Sequence, residues 1–235
     1  MTLEALLREG FAELGLPLDE TALRRYRIYA DTLAEKNAVM NLTAIEGEED
    51  VARLHFLDCA ALLKGFELAG KSLIDVGTGA GFPGLALKIA CPDIELTLLD
   101  SLDKRVGFLR ECSEKLGLED VACVHVRAEE APESFRAAFD VAASRAVARL
   151  RVLCELCLPL VKKGGLFLAM KGPDCEEELE EAENAVRLLG GSVERVFCYQ
   201  IPGTEIRHTV VAIRKTGDTP ARYPRSWAQI KKKPL

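Results

Sequence analysis

The sequence predicts an α/β fold: one seven-stranded, mostly parallel sheet carrying a helical extension at its N-terminal side. Three observations lead there. Residues 1–69 show helical periodicity and no strand pattern. From Lys71 onward, short β-rich runs alternate with helical stretches, the pattern of a parallel sheet with crossover helices. The first of those runs ends in a glycine-rich turn that opens a helix. The chain of 235 residues therefore divides into a helical extension over 1–69 packed on the rest, an α/β domain over 70–214 and a basic tail over 215–235.

In the extension, helices are expected over 2–15 and 19–40. The second places Ala22, Tyr26, Tyr29 and Leu33 on one face, with Asp19 positioned to cap its start. A third helix over about 49–64 carries Val51, Leu54, Leu57, Ala61 and Leu62 on one side. Strands follow at 72–76, 95–100, 122–126, 140–144, 165–170, 193–200 and 208–214. Helices at about 84–90, 103–116, 149–160 and 175–189 connect them, the last stopped by Gly190-Gly191. The final twenty residues, with Pro220, Pro224 and Pro234, are expected to be extended and poorly ordered on their own.

A hydrophobic content of 49% is ample for a core. No run reaches about 18 consecutive apolar residues, and Met1-Thr2-Leu3-Glu4 carries an acid where a signal peptide would carry basic residues, so a cytoplasmic protein without membrane contact is expected. Eight cysteines are scattered through apolar segments and read as reduced thiols. Cys154 and Cys157 have the spacing of one buried helix face, and with only three histidines and no second CxxC no metal is expected. The net charge is -6, yet residues 214–235 hold Arg214, Lys215, Arg222, Arg225, Lys231, Lys232 and Lys233 against Asp218 alone. With Tyr223 and Trp227 among them, this tail reads either as a polyanion contact or as a solvated tail. A monomer is expected.

The sharpest local signal is Ser72-Leu73-Ile74-Asp75-Val76-Gly77-Thr78-Gly79-Ala80-Gly81-Phe82-Pro83-Gly84. Glycines at 77, 79 and 81 allow a ligand to approach the backbone closely, and Pro83 suits a first helical turn. Asp75 discriminates between ligands. A dinucleotide would bring a pyrophosphate against this carboxylate, whereas S-adenosylmethionine brings a sulfonium and an ammonium, which the acid attracts. Asp100, ending the second strand, is placed to accept both ribose hydroxyls of an adenosine, and Ala128-Glu129 after the third strand can border its adenine. The run Gly65 to Ser72 also fits the phosphate-loop pattern, but a helix leads into it and a strand leads out, so nucleoside triphosphate binding is rejected.

The acceptor atom dictates which groups the protein must supply. Pyrimidine C5 methylation needs a cysteine nucleophile, usually in Pro-Cys after the fourth strand, and exocyclic-amine methylation usually shows Asn/Asp-Pro-Pro-aromatic there. This chain has Ser144-Arg145-Ala146 instead. Guanine N7 presents an in-plane lone pair and loses no proton on alkylation, so alignment and exclusion of water suffice. No general base, and hence no catalytic side chain, is then expected.

Along nearly its whole length the chain resembles the bacterial RsmG (GidB) methyltransferases, which methylate guanine N7 in 16S ribosomal RNA. The resemblance rests on Asn41-Leu42-Thr43-Ala44-Ile45, His55 to Asp58, Asp75 to Gly84, Leu99-Asp100-Ser101, Lys104-Arg105, Ser144-Arg145-Ala146, Lys171-Gly172 and Arg207-His208. It implies a class I, Rossmann-like S-adenosylmethionine-dependent methyltransferase fold acting on 16S rRNA or the small ribosomal subunit. Donor contacts carry onto Gly77, Phe82, Asp100, Ser101, Ala128, Glu129 and Arg145, beside Asp75 and Gly79 of the turn. The chain departs from the family at Cys59, where serine is usual, and at Ser226-Trp227-Ala228, where a basic Gly/Pro-containing run is common.

Candidate RNA contacts are Arg145, Lys171, Arg207, His208 and Arg225. Arg145 and Lys171 follow strands at the expected acceptor mouth, each either an RNA contact or a structural ion pair. His208 is a strand-edge residue or an RNA contact. His55 reads as a core or capping histidine, while Asn41 and Thr43 end a helix near the donor site. Two other functions compete: methylation of a small molecule, and a non-catalytic module that binds the donor or the ribosome.

Overall fold

A strand buried on both sides must send alternate side chains into two different cores, and the first strand does so: Leu73 enters one, Ile74 and Val76 the other. The computed structural model describes residues 1–145 and 147–235. Its strands are β1 (Ser72–Val76), β2 (Glu95–Asp100), β3 (Val121–His125), β4 (Phe139–Arg145), β5 (Val161–Lys171), β6 (Gly191–Gln200) and β7 (Arg207–Lys215). They form one sheet in the order β3-β2-β1-β4-β5-β7-β6. Pairings among β1 to β5 are parallel, and β7 runs antiparallel to both β5 and β6.

Chain order reverses between β1 and β4, so the crossovers leave the two strands toward opposite faces and open a crevice at their carboxyl ends. On one face the helices Gly84–Ala90 and Asp103–Lys115 share a core with the N-terminal helices. On the other lie Leu150–Cys157, Glu176–Leu188 and the C-terminal residues Tyr223 and Ile230. Cys154 and Cys157 are both buried in that second core, and all eight cysteines are free thiols.

The N-terminal helices Leu3–Leu14 and Glu20–Met40 begin at caps made by Thr2 and Asp19. Tyr26 and Tyr29, fully buried, donate their hydroxyls to the carbonyls of Ala86 and Ala80, at 2.8 and 2.6 Å. These bonds tie the extension to the helix and turn that follow β1. Among the described residues no helix is long and apolar enough to cross a membrane.

Two segments differ from expectation. The third helix is not regular: Val51–Leu57 is π-helical, widening the buried face to Val51, Ala52, His55, Phe56 and Leu57 and leaving Leu54 half-buried. The tail is not free: it ends in the helix Trp227–Lys232, opened by a reciprocal cap between Ser226 and Gln229. Burial of Tyr223 and Ile230, with Arg136 donating to the carbonyls of Thr219 and Tyr223, supplies the docking that proline content alone does not reveal.

Candidate functional site

The turn after β1 is shaped by close contacts. Gly77 has φ 71°, and a Cβ there would lie 2.8 Å from the Val147 side chain; Gly81 has φ 101°, and a Cβ there would meet the Tyr29 hydroxyl at 2.5 Å. Only glycine satisfies both constraints. The turn therefore keeps its backbone bare at the carboxyl end of the sheet.

Asp75, expected from sequence to lie against the ligand's charge, is wholly buried beneath this turn. Alternation along β1 sends its side chain inward, where Oδ2 accepts from the Thr78 hydroxyl at 2.6 Å and the Gly84 amide at 2.8 Å. Its Oδ1 has no partner among the described residues. Burial pushes the carboxyl up to about 6, against the two hydrogen bonds and Arg145, which oppose that rise.

Asp100 ends β2 beside the same turn. Its Oδ2 accepts from the Gly79 amide at 2.9 Å and its Oδ1 from the Leu102 amide at 3.0 Å, with Arg105 at 3.6 Å. A cavity of about 400 Å³ opens here, bordered by Gly77, Asp100, Ser101, Ala128, Glu129 and Arg145. Six of the nine residues expected around the donor thus meet in one place. Glu129 is held by Arg127 at 2.6 Å. Gly79 and Phe82 line a neighbouring, wider cavity instead, and Asp75 lines neither.

That wider cavity, about 850 Å³, shares Gly77, Arg145 and Val147 with the smaller one. Its wall contains a polar network centred on Asp58, a buried acid at the end of the π-helical segment. Asp58 Oδ2 accepts from Arg145 Nη1 at 3.1 Å, while Oδ1 accepts from the Tyr199 hydroxyl at 2.6 Å and His208 Nδ1 at 2.8 Å. Burial alone would raise the Asp58 carboxyl; hydrogen bonding to His208 and the Arg145 charge outweigh it and hold the carboxyl below its ordinary value.

Arg145 also donates from Nη1 to the Leu54 carbonyl at 3.0 Å, and its guanidinium lies 4.9 Å from the Phe82 ring centre. Its Nη2 sits 2.7 Å from His55 Nδ1. Arginine has no acceptor, so His55 Nδ1 accepts and its proton is on Nε2, which donates to Thr43 Oγ1 at 2.9 Å. Burial, then the Arg145 charge, push His55 down to about 3, so the ring is neutral at physiological pH. Stacked on Phe82 at 4.1 Å, His55 is the core histidine its sequence position suggested, yet it also lines the cavity.

The remaining sequence candidates fall in different places. Lys171 lines the wide cavity but is bound to Glu178 and the Ala148 carbonyl, both at 2.7 Å. Arg207 opens β7 and is exposed, with no ion pair among the described residues. Asn41 closes the helix Glu20–Met40 at φ 50°, and Thr43 lines the wide cavity. Ala146, of the Ser144-Arg145-Ala146 run, lies outside the described residues.

Arg225, expected to face RNA, is bound instead to an acid of the second core. It meets the buried Glu155 through Nε at 2.7 Å and Nη2 at 2.6 Å, because a buried carboxylate demands a partner. Arg214 pairs with Glu194, and Lys215 is buried among the carbonyls of Leu158 and Leu189, so the exposed cations of the tail reduce to Arg222, Lys231, Lys232 and Lys233. Tyr223 is buried, and Trp227 lines the smaller cavity, so neither aromatic belongs to a free basic tail.

Tyr199 was not singled out from sequence, Asp58 was given no role of its own, and Trp227 was read only as part of the tail. Asp58 and Tyr199 are 141 residues apart, and no local pattern joins them. Among the described residues there is no cluster of three or more His, Cys, Asp or Glu able to hold a metal ion.

The chain matches the GidB family model, described as rRNA small subunit methyltransferase G, over residues 22–209. It is 46% identical over 230 residues to ribosomal RNA small subunit methyltransferase G of Lachnoclostridium phytofermentans, covering 97% of this chain and 95% of that one. It is 46% identical over 238 residues to the protein of the same description from Alkaliphilus metalliredigens, over the full length of both. In fold it is similar to the crystal structure of precorrin-6y C5,15-methyltransferase from Geobacter metallireducens, with a TM-score of 0.54 at 16% identity over 74% of this chain and 92% of that one.

Proposed function

The chain belongs to the GidB family of ribosomal RNA small subunit methyltransferases G, and from that premise we propose that it moves a methyl group from S-adenosylmethionine to N7 of a guanine in 16S ribosomal RNA. The observation that carries the reading is the pair of cavities meeting at Gly77, Arg145 and Val147, at the carboxyl ends of β1 and β4. Two substrates that must exchange one carbon need adjoining sites with a common wall.

The residues fit the donor. Asp100, Ser101, Ala128 and Glu129 would hold its adenosine in the smaller cavity, and the bare backbone at Gly77 and Gly79 would pass beneath its amino-acid end. Asp75, buried with an unpartnered oxygen, favours a ligand bearing positive charge and disfavours a pyrophosphate. When bound, the cofactor supplies an electrophilic methyl group on a sulfonium.

The guanine would occupy the wider cavity, where Phe82, His55 and Arg145 form one wall. Neither buried candidate for a base is free to act as one. Both Asp58 oxygens are engaged, and the His55 Nδ1 lone pair is committed to Arg145. This suits attack by a guanine lone pair, which releases no proton, and leaves the chain to orient the base and exclude water. Arg207 and the exposed tail cations Lys231, Lys232 and Lys233 would contact the phosphate backbone.

The test is to incubate the protein with labelled S-adenosylmethionine and small ribosomal subunits, or naked 16S rRNA, from cells lacking this modification, and to map the labelled base. The expected product is one N7-methylguanine in 16S rRNA. Label on another atom or another RNA, or none in either substrate, would overturn the assignment.

A further inference from the structure

Trp227 is the chain's single tryptophan, and the reaction proposed above makes no use of it. At 38% exposed it is a costly residue to leave in water, yet its position is built rather than incidental. The cap between Ser226 and Gln229 starts its helix, Ile230 anchors that helix in the core, and the Arg225–Glu155 pair fixes the preceding residues. Glu129 holds Arg127, whose guanidinium lies 5.6 Å from the indole centre. The ring so placed borders the smaller cavity together with Asp100, Ser101, Ala128 and Glu129.

Resting on the reading of that cavity as the donor pocket, we propose that Trp227 is a donor-binding residue, supplying an aromatic wall against the adenine, and that the C-terminal segment is therefore part of the cofactor site. An indole offers a purine a broad apolar face, and base–aromatic stacking is sequence-tolerant because every base has such a face. A stacking platform for an RNA base is the competing use. The adenosine is favoured by position: the indole borders the smaller cavity, with Ser101, Ala128 and Glu129, and does not line the wider cavity given to the guanine.

The test follows from the residue being the only tryptophan. Titration of the full chain with S-adenosylmethionine, and separately with S-adenosylhomocysteine, is expected to shift or quench tryptophan emission saturably, with the same Kd as calorimetry. Trp227→Ala is expected to weaken the affinity for both ligands by about tenfold, and Trp227→Phe to retain most of it. Donor affinity unchanged in Trp227→Ala, whether or not RNA binding falls, overturns the proposal, as does wild-type emission that ignores saturating donor. A wild-type protein giving no calorimetric signal with S-adenosylmethionine would instead remove the donor-pocket reading, and this one with it.

Discussion

Asp58 and Arg145 meet at 3.1 Å across 87 residues of chain, joining the N-terminal helices to the end of β4 inside the wall of the wider cavity. The contact makes the extension a structural part of the site, because the same guanidinium is also held by the Leu54 carbonyl and His55. Removing the acid strands a largely buried cation. Asp58→Ala is expected to lower stability by about 3 kcal/mol and to reduce methyl transfer by about a hundredfold. Thermal unfolding and single-turnover assays measure the two effects. Arg145→Lys keeps the charge and loses the planar fork, so little of the activity should return; full activity in either variant would refute the positioning role.

The depth of Asp75 predicts a pH dependence of donor binding. Its carboxyl titrates at about 6 instead of the ordinary 3.8, so in the free protein it gains a proton as pH falls through 6. Between those values the folded chain binds the proton more readily than the unfolded chain, and this group's ionisation costs stability as pH rises through the window. A cationic ligand recovers part of that cost only when the carboxylate is charged. Affinity for S-adenosylmethionine should therefore rise from pH 5 to pH 7.5 and level off above. Calorimetry at both pH values, repeated on Asp75→Asn, checks this; the same rise in the variant would assign the dependence to another group.

The parts of the fold that read correctly from sequence are those in which local pattern and tertiary environment agree. β1, β2 and the helix Gly84–Ala90 begin and end where expected, because apolar runs there are bounded by glycine, aspartate and proline. β5 starts at Val161, earlier than its apolar pattern, because Val161 pairs with Phe139 ahead of a register shift, after which pairing resumes at Leu166. The residues grouped around the smaller cavity were legible because each sits at the end of a recognisable strand. The Asp58 network was not, because its members are joined by folding alone. The burial of Asp75 was recoverable in principle: alternation from Ile74 and Val76 in one core places it on the opposite face, behind the turn.

Arg207 and Arg225, both expected to face RNA, should separate cleanly by experiment. Arg207 is exposed and without an ion pair among the described residues, so Arg207→Ala should weaken RNA binding and reduce the slope of log affinity against log salt by roughly 0.7–0.9, with no change in unfolding temperature. Arg225 neutralises buried Glu155, so Arg225→Ala should leave the salt slope alone and lower stability by about 3 kcal/mol, roughly 6–12 °C in the unfolding midpoint. Filter binding over a salt series and thermal denaturation measure both. A salt slope that changes with Arg225 and not with Arg207 would reverse the assignment.

Gly77 and Val147 test whether the junction of the two cavities matters. An alanine at 77 meets two obstacles: φ of 71°, which costs an L-residue about 1–2 kcal/mol, and a Val147 methyl 2.8 Å from its Cβ. Relieving the clash by moving Val147 disturbs a wall of both cavities. Gly77→Ala should therefore weaken donor binding and slow methyl transfer as well as lower stability. Adding Val147→Ala removes the steric obstacle and leaves the backbone strain, so the double variant should recover donor affinity while staying less stable than wild type. Non-additivity of this kind, read from a double-mutant cycle of donor Kd and unfolding free energy, assigns the functional loss to the shared wall. Additive losses in both quantities would show that Gly77 serves only the turn's conformation.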